Sequence, residues 1–372
     1  MAAAVNSPLL TLFMKSNKNG FTFSRSKLIT LGCCTLLSIT SIVALYELSD
    51  VPNKKKNGFR REYRNNPFLS PMYSKALNLG GYYISGLSNS YIYLSNYSDP
   101  LILMRYDYEL NFISSHNIGK SDSARQEAVT VKVDSPYIYV INRETSEIHL
   151  YSLFGKSHPK LGFHNSLHPK FTAASPLSPT TFIVRAIDTQ LNQYVLAKIA
   201  TENQEVKFSY DALQKQIDGF LDIDGQLLYE ADSNCVIYVY YYRNQFICLD
   251  SNLNVVYKAN SIDTNRFSKL GVKKINSSKF TAISSPQIFI NAASYIANGK
   301  LFIKSDMMAD NEDRRLFGKG FVIDEYDLKD GRYIHSFYLS RMGKRKFDDF
   351  QILGNRLIAI QEDYLVEYDL TF

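Results

Sequence analysis

Three histidines fall within one short stretch, KSHPKLGFHNSLHPK: His158, His164 and His168. Three imidazoles can hold a zinc ion and leave a fourth position for water, which is what metal-assisted hydrolysis needs. The setting argues against a metal here. Pro159 and Pro169 break the local backbone, no Cys, Asp or Glu accompanies the histidines, and no HExxH pattern exists in the chain. A plain histidine-bearing loop without metal is expected. His116, His149 and His335 stand on or beside strand-like stretches without visible partners.

Arg185 closes the apolar run TFIVRAI, where a charge is costly unless it is paired or reaches water. Arg143, in YIYVINRET, holds a similar place one repeat earlier, and the two could form a cationic rim suited to an anionic ligand. The plainer alternative is pairing with a neighbour such as Glu144 or Asp188. The stretch MMADNEDRRLFGKGF carries Asp310, Asn311, Glu312 and Asp313 but lacks the D-x-[DN]-x-[DN]-G order of a calcium loop, so it reads as a solvated hairpin tip. No Gly-rich phosphate loop, G-x-S-x-G elbow or sialidase Asp-box occurs, and Trp 0 leaves little support for a tryptophan-docked quinoprotein propeller. No cofactor is expected.

The elements that must position these residues come from a repeat. YIYL at Tyr91, YIYV at Tyr137, TFIV at Thr181, VIYV at Val236, KLFI at Lys300 and RLIA at Arg356 recur at intervals of roughly 45 to 65 residues. Each reads as a strand too short to bury itself, so the units must stack. Most copies lead to a second strand ending in an apolar–Asp turn, at Tyr106-Asp107, Leu249-Asp250, Tyr326-Asp327 and Tyr368-Asp369, with Tyr151-Ser152 as a variant. Asp or Ser there can bond its own backbone and close the turn. The fourth copy shows a whole unit, QLLYEAD, CVIYVYYYR, QFICLDS and VVYKANS, a four-stranded antiparallel meander. Six such meanders around an axis make an all-β, six-bladed β-propeller.

The last unit ends at Phe372 without an outer strand, and an uncovered edge must be paired. The segment KALNLGG resembles SHNIGK, which ends the outer strand of the first blade, so residues 75–79 are expected to complete the last blade. Strand alternation places the long insertions at 155–170, 206–219, 262–286 and 307–319 on one face, the natural binding surface. Near likely inner-strand starts lie Asp224, Asp348 and Asp349.

Ahead of the propeller, the run from Leu28 to Tyr46 (LITLGCCTLLSITSIVALY) carries no charge and is long enough to span a bilayer. Only residues 28–32 separate Lys27 from Cys33, too few for a lipoprotein signal, so a retained single-pass anchor is expected. The chain divides into an N-terminal tail (1–27), a membrane helix (28–46), a basic linker (47–74) and the propeller (75–372). The linker, with KKK and RREYR, reads as solvated. Much of the net charge of +6 comes from it, which gives no argument for nucleic acid. Lys and Arg flanking the span are nearly balanced, slightly favouring a cytoplasmic propeller. Cys33 and Cys34 lie in the span. With a tight turn at Arg243-Asn244, Cys248 would face Val239, leaving roughly 13 Å of strand to Cys235, too far for a disulfide in that register.

The anchor together with KKKNGF, GYYISGLSNSYIYLSN, KFTAASPLSPTTFIVRA and QLLYEADSNCVIYVYYYRNQFICLD resembles the six-bladed propeller proteins of Bacteroidota, especially the sphingobacterial type. The resemblance implies the fold and an envelope location with the propeller in the periplasm, and it assigns no catalytic residue. The leading expectation is a membrane-tethered, non-enzymatic module binding a protein or small ligand through its insertion-rich face. The alternative is a lactonase- or lyase-like propeller enzyme using a metal in the central channel.

Overall fold

The computed structural model describes residues 25–48, 56–119, 128–153, 169–268, 272–274, 281–283, 289–343 and 345–371. It divides into a unit containing the N-terminal helix and a unit spanning Lys56–Phe372. The helix, Arg25–Leu48, includes a stretch, Arg25–Tyr46, long and apolar enough to cross a membrane by length and composition. Its hydroxyl side chains fold back onto the helix: Thr30 donates to the Ser26 carbonyl at 3.0 Å, Ser38 to Cys34 at 2.8 Å and Thr40 to Leu36 at 2.9 Å. Each of these hydroxyls is thereby satisfied within the helix itself.

The second unit is a six-bladed propeller. Blade one comprises Tyr82–Leu87, Ile92–Asn96, Asp99–Tyr106 and Phe112–Asn117, and blade two Val129–Asp134, Tyr137–Asn142 and Glu147–Ser152 among the described residues. Blade three is Phe171–Ser178, Thr181–Asp188, Gln193–Ala200 and Glu205–Ser209; blade four is Gly225–Glu230, Cys235–Tyr240, Gln245–Asp250 and Val255–Asn260. Blade five runs Asn291–Ala297, Lys300–Ser305, Gly320–Asp327 and Tyr333–Ser340, and blade six Asp349–Leu353, Arg356–Gln361 and Tyr364–Asp369. The recurring sequence anchors are the second strands. Cys235–Tyr240 is buried throughout, which is why such strands read as continuous apolar runs rather than as alternating ones.

Each hydrophobic cluster straddles two neighbouring blades. Tyr139 of blade two meets Phe182 of blade three edge-on at 5.9 Å, Phe246 of blade four meets Tyr326 of blade five at 5.4 Å, and Ile358 of blade six packs with Ile84 and Leu94 of blade one. A single blade therefore has no core of its own, and stability requires the closed ring. The apolar–Asp turns work as their chemistry predicts. Asp107 Oδ1 accepts the N–H groups of Glu109 (3.0 Å) and Asn111 (2.8 Å), and Asp250 Oδ1 those of Asn252 (2.8 Å) and Asn254 (2.9 Å). In both turns a leucine takes the left-handed conformation, Leu110 at φ 63° and Leu253 at φ 66°, and its side chain is buried. Burial of the side chain offsets the backbone cost.

Ring closure uses the N-terminal segment. Tyr73–Ala76 pairs antiparallel with Tyr364–Asp369 as the fourth strand of blade six. This strand lies slightly earlier than residues 75–79, and its own side chains are exposed. The apolar anchor is Leu77, which is buried and donates its N–H to the Asp363 carbonyl at 2.7 Å.

Upstream of the closing strand, the segment expected to be solvated is structured from Lys56 onward. Tyr63–Leu69 adds a fifth strand to blade five, parallel to Tyr333–Ser340. Arg61 is buried: its Nε and Nη2 grip both oxygens of Asp324 at 2.7 and 3.0 Å, and its Nη1 reaches Glu312 at 2.7 Å. The acidic stretch at 310–313 is therefore a clamp rather than a solvated tip. Asp310 Oδ1 accepts the Asn57 N–H (2.7 Å), Asn311 exchanges two bonds with the Arg61 backbone, and Glu312 also accepts the Tyr63 and Tyr338 hydroxyls. Composition alone suggested a linker because the charges were counted without their partners.

A second correction concerns the cysteines. The second and third strands of blade four are joined by a wider turn than two residues, so Cys248 faces Ile237 and Cys235 faces Asp250. This register sets Cys235 and Cys248 diagonally on one face of the sheet, with Cα atoms 6.4 Å apart, and they are disulfide-bonded.

Candidate functional site

Strand direction fixes one elaborated face. It carries residues 210–224 between blades three and four, residues 261–268 and 289–290 from the connection between blades four and five, and the 306–319 loop inside blade five. The first of these begins later than the sequence suggested, because Glu205–Ser209 is still the outer strand of blade three. Two of the loops are organised by carboxylates. Asp222 accepts the N–H groups of Gln216, Ile217 (2.9 Å), Asp218 (3.2 Å) and Gly219 (2.6 Å). Burial alone would raise its carboxyl, but Asp218 and these N–H groups outweigh that and hold it below the ordinary range. Gly219, at φ +78°, supplies the left-handed turn that the nest needs. Asp263 accepts the Ser261 hydroxyl (2.6 Å) and the Asn265 N–H (2.8 Å), and Gln216 ties the two loops together through the Arg266 carbonyl (3.1 Å) and the Ser268 N–H (3.0 Å).

The braced loops present apolar side chains to solvent. Ile217 is 41% exposed, Tyr210 50% and Phe267 72%, and Leu191 and Phe289 stand on the same face. Phe289 packs edge-on against Tyr241 at 5.5 Å.

Arg185, buried on the second strand of blade three, is committed to neighbours. It donates to Thr172 Oγ1 (2.8 Å), the Gly225 carbonyl (3.0 Å), the Tyr238 hydroxyl (3.2 Å) and Asp224, and its guanidinium lies over the Tyr194 ring. Its partner is thus Asp224, at the start of the next blade, rather than Asp188 or Glu144. Arg143 is exposed and donates to the Ala128 carbonyl at 3.2 Å. His158, His164 and His168 lie outside the described residues. Among the described residues, no three His, Cys, Asp or Glu side chains gather closely enough to hold a metal ion.

Deeper in the ring, polar side chains on inner strands bridge from blade to blade. The Tyr83 hydroxyl accepts the Val131 N–H (2.8 Å), Lys132 Nζ donates to the Ala174 carbonyl (3.1 Å), Gln226 Oε1 accepts the Ser294 N–H (2.7 Å) and Gln351 Nε2 donates to the Ile84 carbonyl (2.8 Å). Gly86 is required where blades one and two meet, since a Cβ would lie 2.1 Å from the Val133 carbonyl oxygen. Asp349 accepts the Ile84 N–H at 2.9 Å and that of Phe350 at 2.9 Å. Burial pushes its carboxyl up to about 7, opposed by those N–H groups and by Lys132. Lys132 is in turn lowered by burial to about 8, with Asp349 partly restoring it. Asp348, by contrast, is exposed and accepts the Glu362 N–H. Lys132 was legible as the one cation in VTVKVD, on the opposite strand face from Val131 and Val133.

No protein-family model matches the chain, and no curated protein matches it. Solved structures do. A member of the DUF4221 family from Bacteroides vulgatus superposes with a TM-score of 0.52 at 12% identity, covering 85% of this chain and 98% of its own. A protein of unknown function from Bacteroides thetaiotaomicron gives a TM-score of 0.48 at 12% identity, over 84% of this chain and 73% of its own. Virginiamycin B lyase from Staphylococcus aureus gives 0.46 at 10% identity, over 80% and 99%. At these identities the likeness is one of propeller fold.

Proposed function

We propose that the chain is a membrane-tethered propeller of the bacterial cell envelope, a binding module that engages a protein or small ligand through its insertion-rich face. The observation that carries this reading is the display of Ile217, Tyr210 and Phe267 on loops that Asp222, Asp263 and Gln216 hold rigid. Exposed apolar side chains on a prebraced scaffold cost little ordering entropy on binding, which favours recognition. The Arg25–Leu48 helix supplies the tether, and the Cys235–Cys248 bond suits an oxidising compartment, in agreement with a periplasmic propeller.

The test places a photo-crosslinking residue at Ile217, Phe267 or Val256 of the full chain in living cells. Val256, on the outer strand of blade four, is also well exposed and serves as the control. A discrete adduct from the first two positions and none from the third is expected; no adduct, or equal labelling at all three, sinks the binding face. Alkaline phosphatase fused after Phe372 should be active, and an inactive fusion with a fluorescent cytoplasmic reporter would place the propeller on the other side.

A further inference from the structure

A cleft of about 290 Å³ opens between blades one and two, remote in sequence from the loops of the insertion-rich face. Its apolar part is formed by Tyr93, Leu103, Ile138 and Leu153, and its polar part by Arg105 and His116 with the Tyr151 side chain nearby. No Asp or Glu lines it among the described residues. Arg105 is held in place from two sides. Its Nε donates to Ser114 Oγ at 3.1 Å, and its guanidinium carbon lies 4.8 Å from the centroid of the Tyr91 ring. His116 Nε2 lies 3.3 Å from the same serine hydroxyl. Among the described residues no carboxylate pairs with Arg105, so its terminal amino groups remain available as a planar fork.

A positioned guanidinium beside an apolar wall selects for a ligand with one negative end and one greasy end. The cavity is at the lower limit for small-molecule sites, which restricts the ligand in size. We propose that this cleft binds a small amphipathic carboxylate, an aliphatic or aromatic monoacid, with its carboxylate on Arg105 and its hydrocarbon against Leu103, Ile138 and Leu153. The site is independent of the insertion-rich face, and its failure would leave that reading intact.

The experiment is calorimetric titration of the full chain in neutral detergent, against detergent blanks, with benzoate, hexanoate and octanoate and with the corresponding neutral amides. One saturable site per chain is expected for at least one acid, with its amide at least tenfold weaker, since the amide forfeits the charge-assisted hydrogen bonds to Arg105. Arg105→Met should bring the acid down to the level of its amide, Arg105→Lys should retain part of the preference, and Leu153→Trp should abolish binding of both by filling the lip of the cleft. Circular dichroism of each variant separates loss of the site from loss of the fold. Absence of saturable binding by all three acids, equal binding of acids and amides, or affinity unchanged in folded Arg105→Met overturns the proposal.

Discussion

Replacing Arg61 by Ala should cost the propeller about 3–5 kcal/mol, although this residue lies far from the repeats that define the fold. The magnitude follows from what the substitution leaves behind. Arg61 makes a two-toothed contact to Asp324 and a third to Glu312, and the carboxylates themselves have side-chain exposures of only 2% each. Without the guanidinium, two buried negative charges lose their counter-charge. Asp324 keeps the Ser336 hydroxyl at 2.6 Å and Glu312 keeps two tyrosine hydroxyls, so hydrogen bonding survives while charge balance does not. A loss of that size is a large fraction of the roughly 5–15 kcal/mol available to an ordinary domain. Because the chain holds Trp 0 and Tyr 27, equilibrium unfolding in guanidinium can be followed by tyrosine fluorescence and circular dichroism. The double variant Arg61→Met with Asp324→Asn should be less destabilised than the sum of the single variants, since each removes the other's unpaired charge. A loss under about 1 kcal/mol for Arg61→Ala, with additive singles, would mean that the segment lies on blade five without being part of its folded unit.

Other perturbations test the ring and its buried charges. A chain beginning at Pro67 lacks Arg61, whereas one beginning at Gly81 also lacks the closing strand and Leu77; thermal unfolding should show a further large drop between the two, and equal stability would refute closure by Tyr73–Ala76. Asp349 has its pKa raised to about 7 from an ordinary 3.8, so it contributes most below pH 4 and progressively less as pH rises to about 7. Asp349→Asn should therefore melt higher than the native chain at pH 8, with the gap closing toward pH 4; a gap independent of pH would show that Asp349 is not the titrating group. Arg243 is 1% exposed, stacks 3.6 Å from the Tyr240 ring centroid, and among the described residues no carboxylate pairs with its guanidinium. Since an unpaired buried cation is replaced favourably by an apolar chain of similar length, Arg243→Met should stabilise by about 1–4 kcal/mol in denaturant unfolding, and a loss would point to a counter-anion held at that position.

The blades were legible because a strand buried on both faces must read as an unbroken apolar run, and the Asp turns because one carboxylate oxygen can take two loop N–H groups, two and four residues further on. Tyr137–Asn142 and Asp250 show this most plainly. Closure was legible in the likeness of KALNLGG to SHNIGK, and Tyr73–Ala76 supplies the fourth strand of blade six. What escaped were interactions whose partners are more than 200 residues apart. Nothing local in RREYR distinguishes a solvated basic stretch from one whose second arginine is sealed between Asp324 and Glu312, and nothing local in DNED distinguishes a loop tip from its receptor. Each segment looked exposed because each was the other's environment. The cysteine register failed for a smaller reason, since a turn widened from two residues to four slides the pairing by two positions without changing which side chains share a face.

The same logic locates Arg185. Its position at the end of an apolar strand signalled correctly that it needed compensation, but sequence proximity pointed to Asp188, whereas the propeller supplies Asp224 from the next blade. In a ring of stacked sheets, the neighbour that matters for an inner residue is at the equivalent height of the adjoining blade, 40 to 68 residues away in the chain. Lys132 and the Ala174 carbonyl, Tyr83 and Val131, and Gln226 and Ser294 follow that rule. Compensation for a buried polar group should therefore be sought one repeat length along the sequence. Arg243 stands out because among the described residues that rule finds no counter-charge for it, which makes its replacement by methionine the sharpest test of whether every buried charge in this ring is balanced from within.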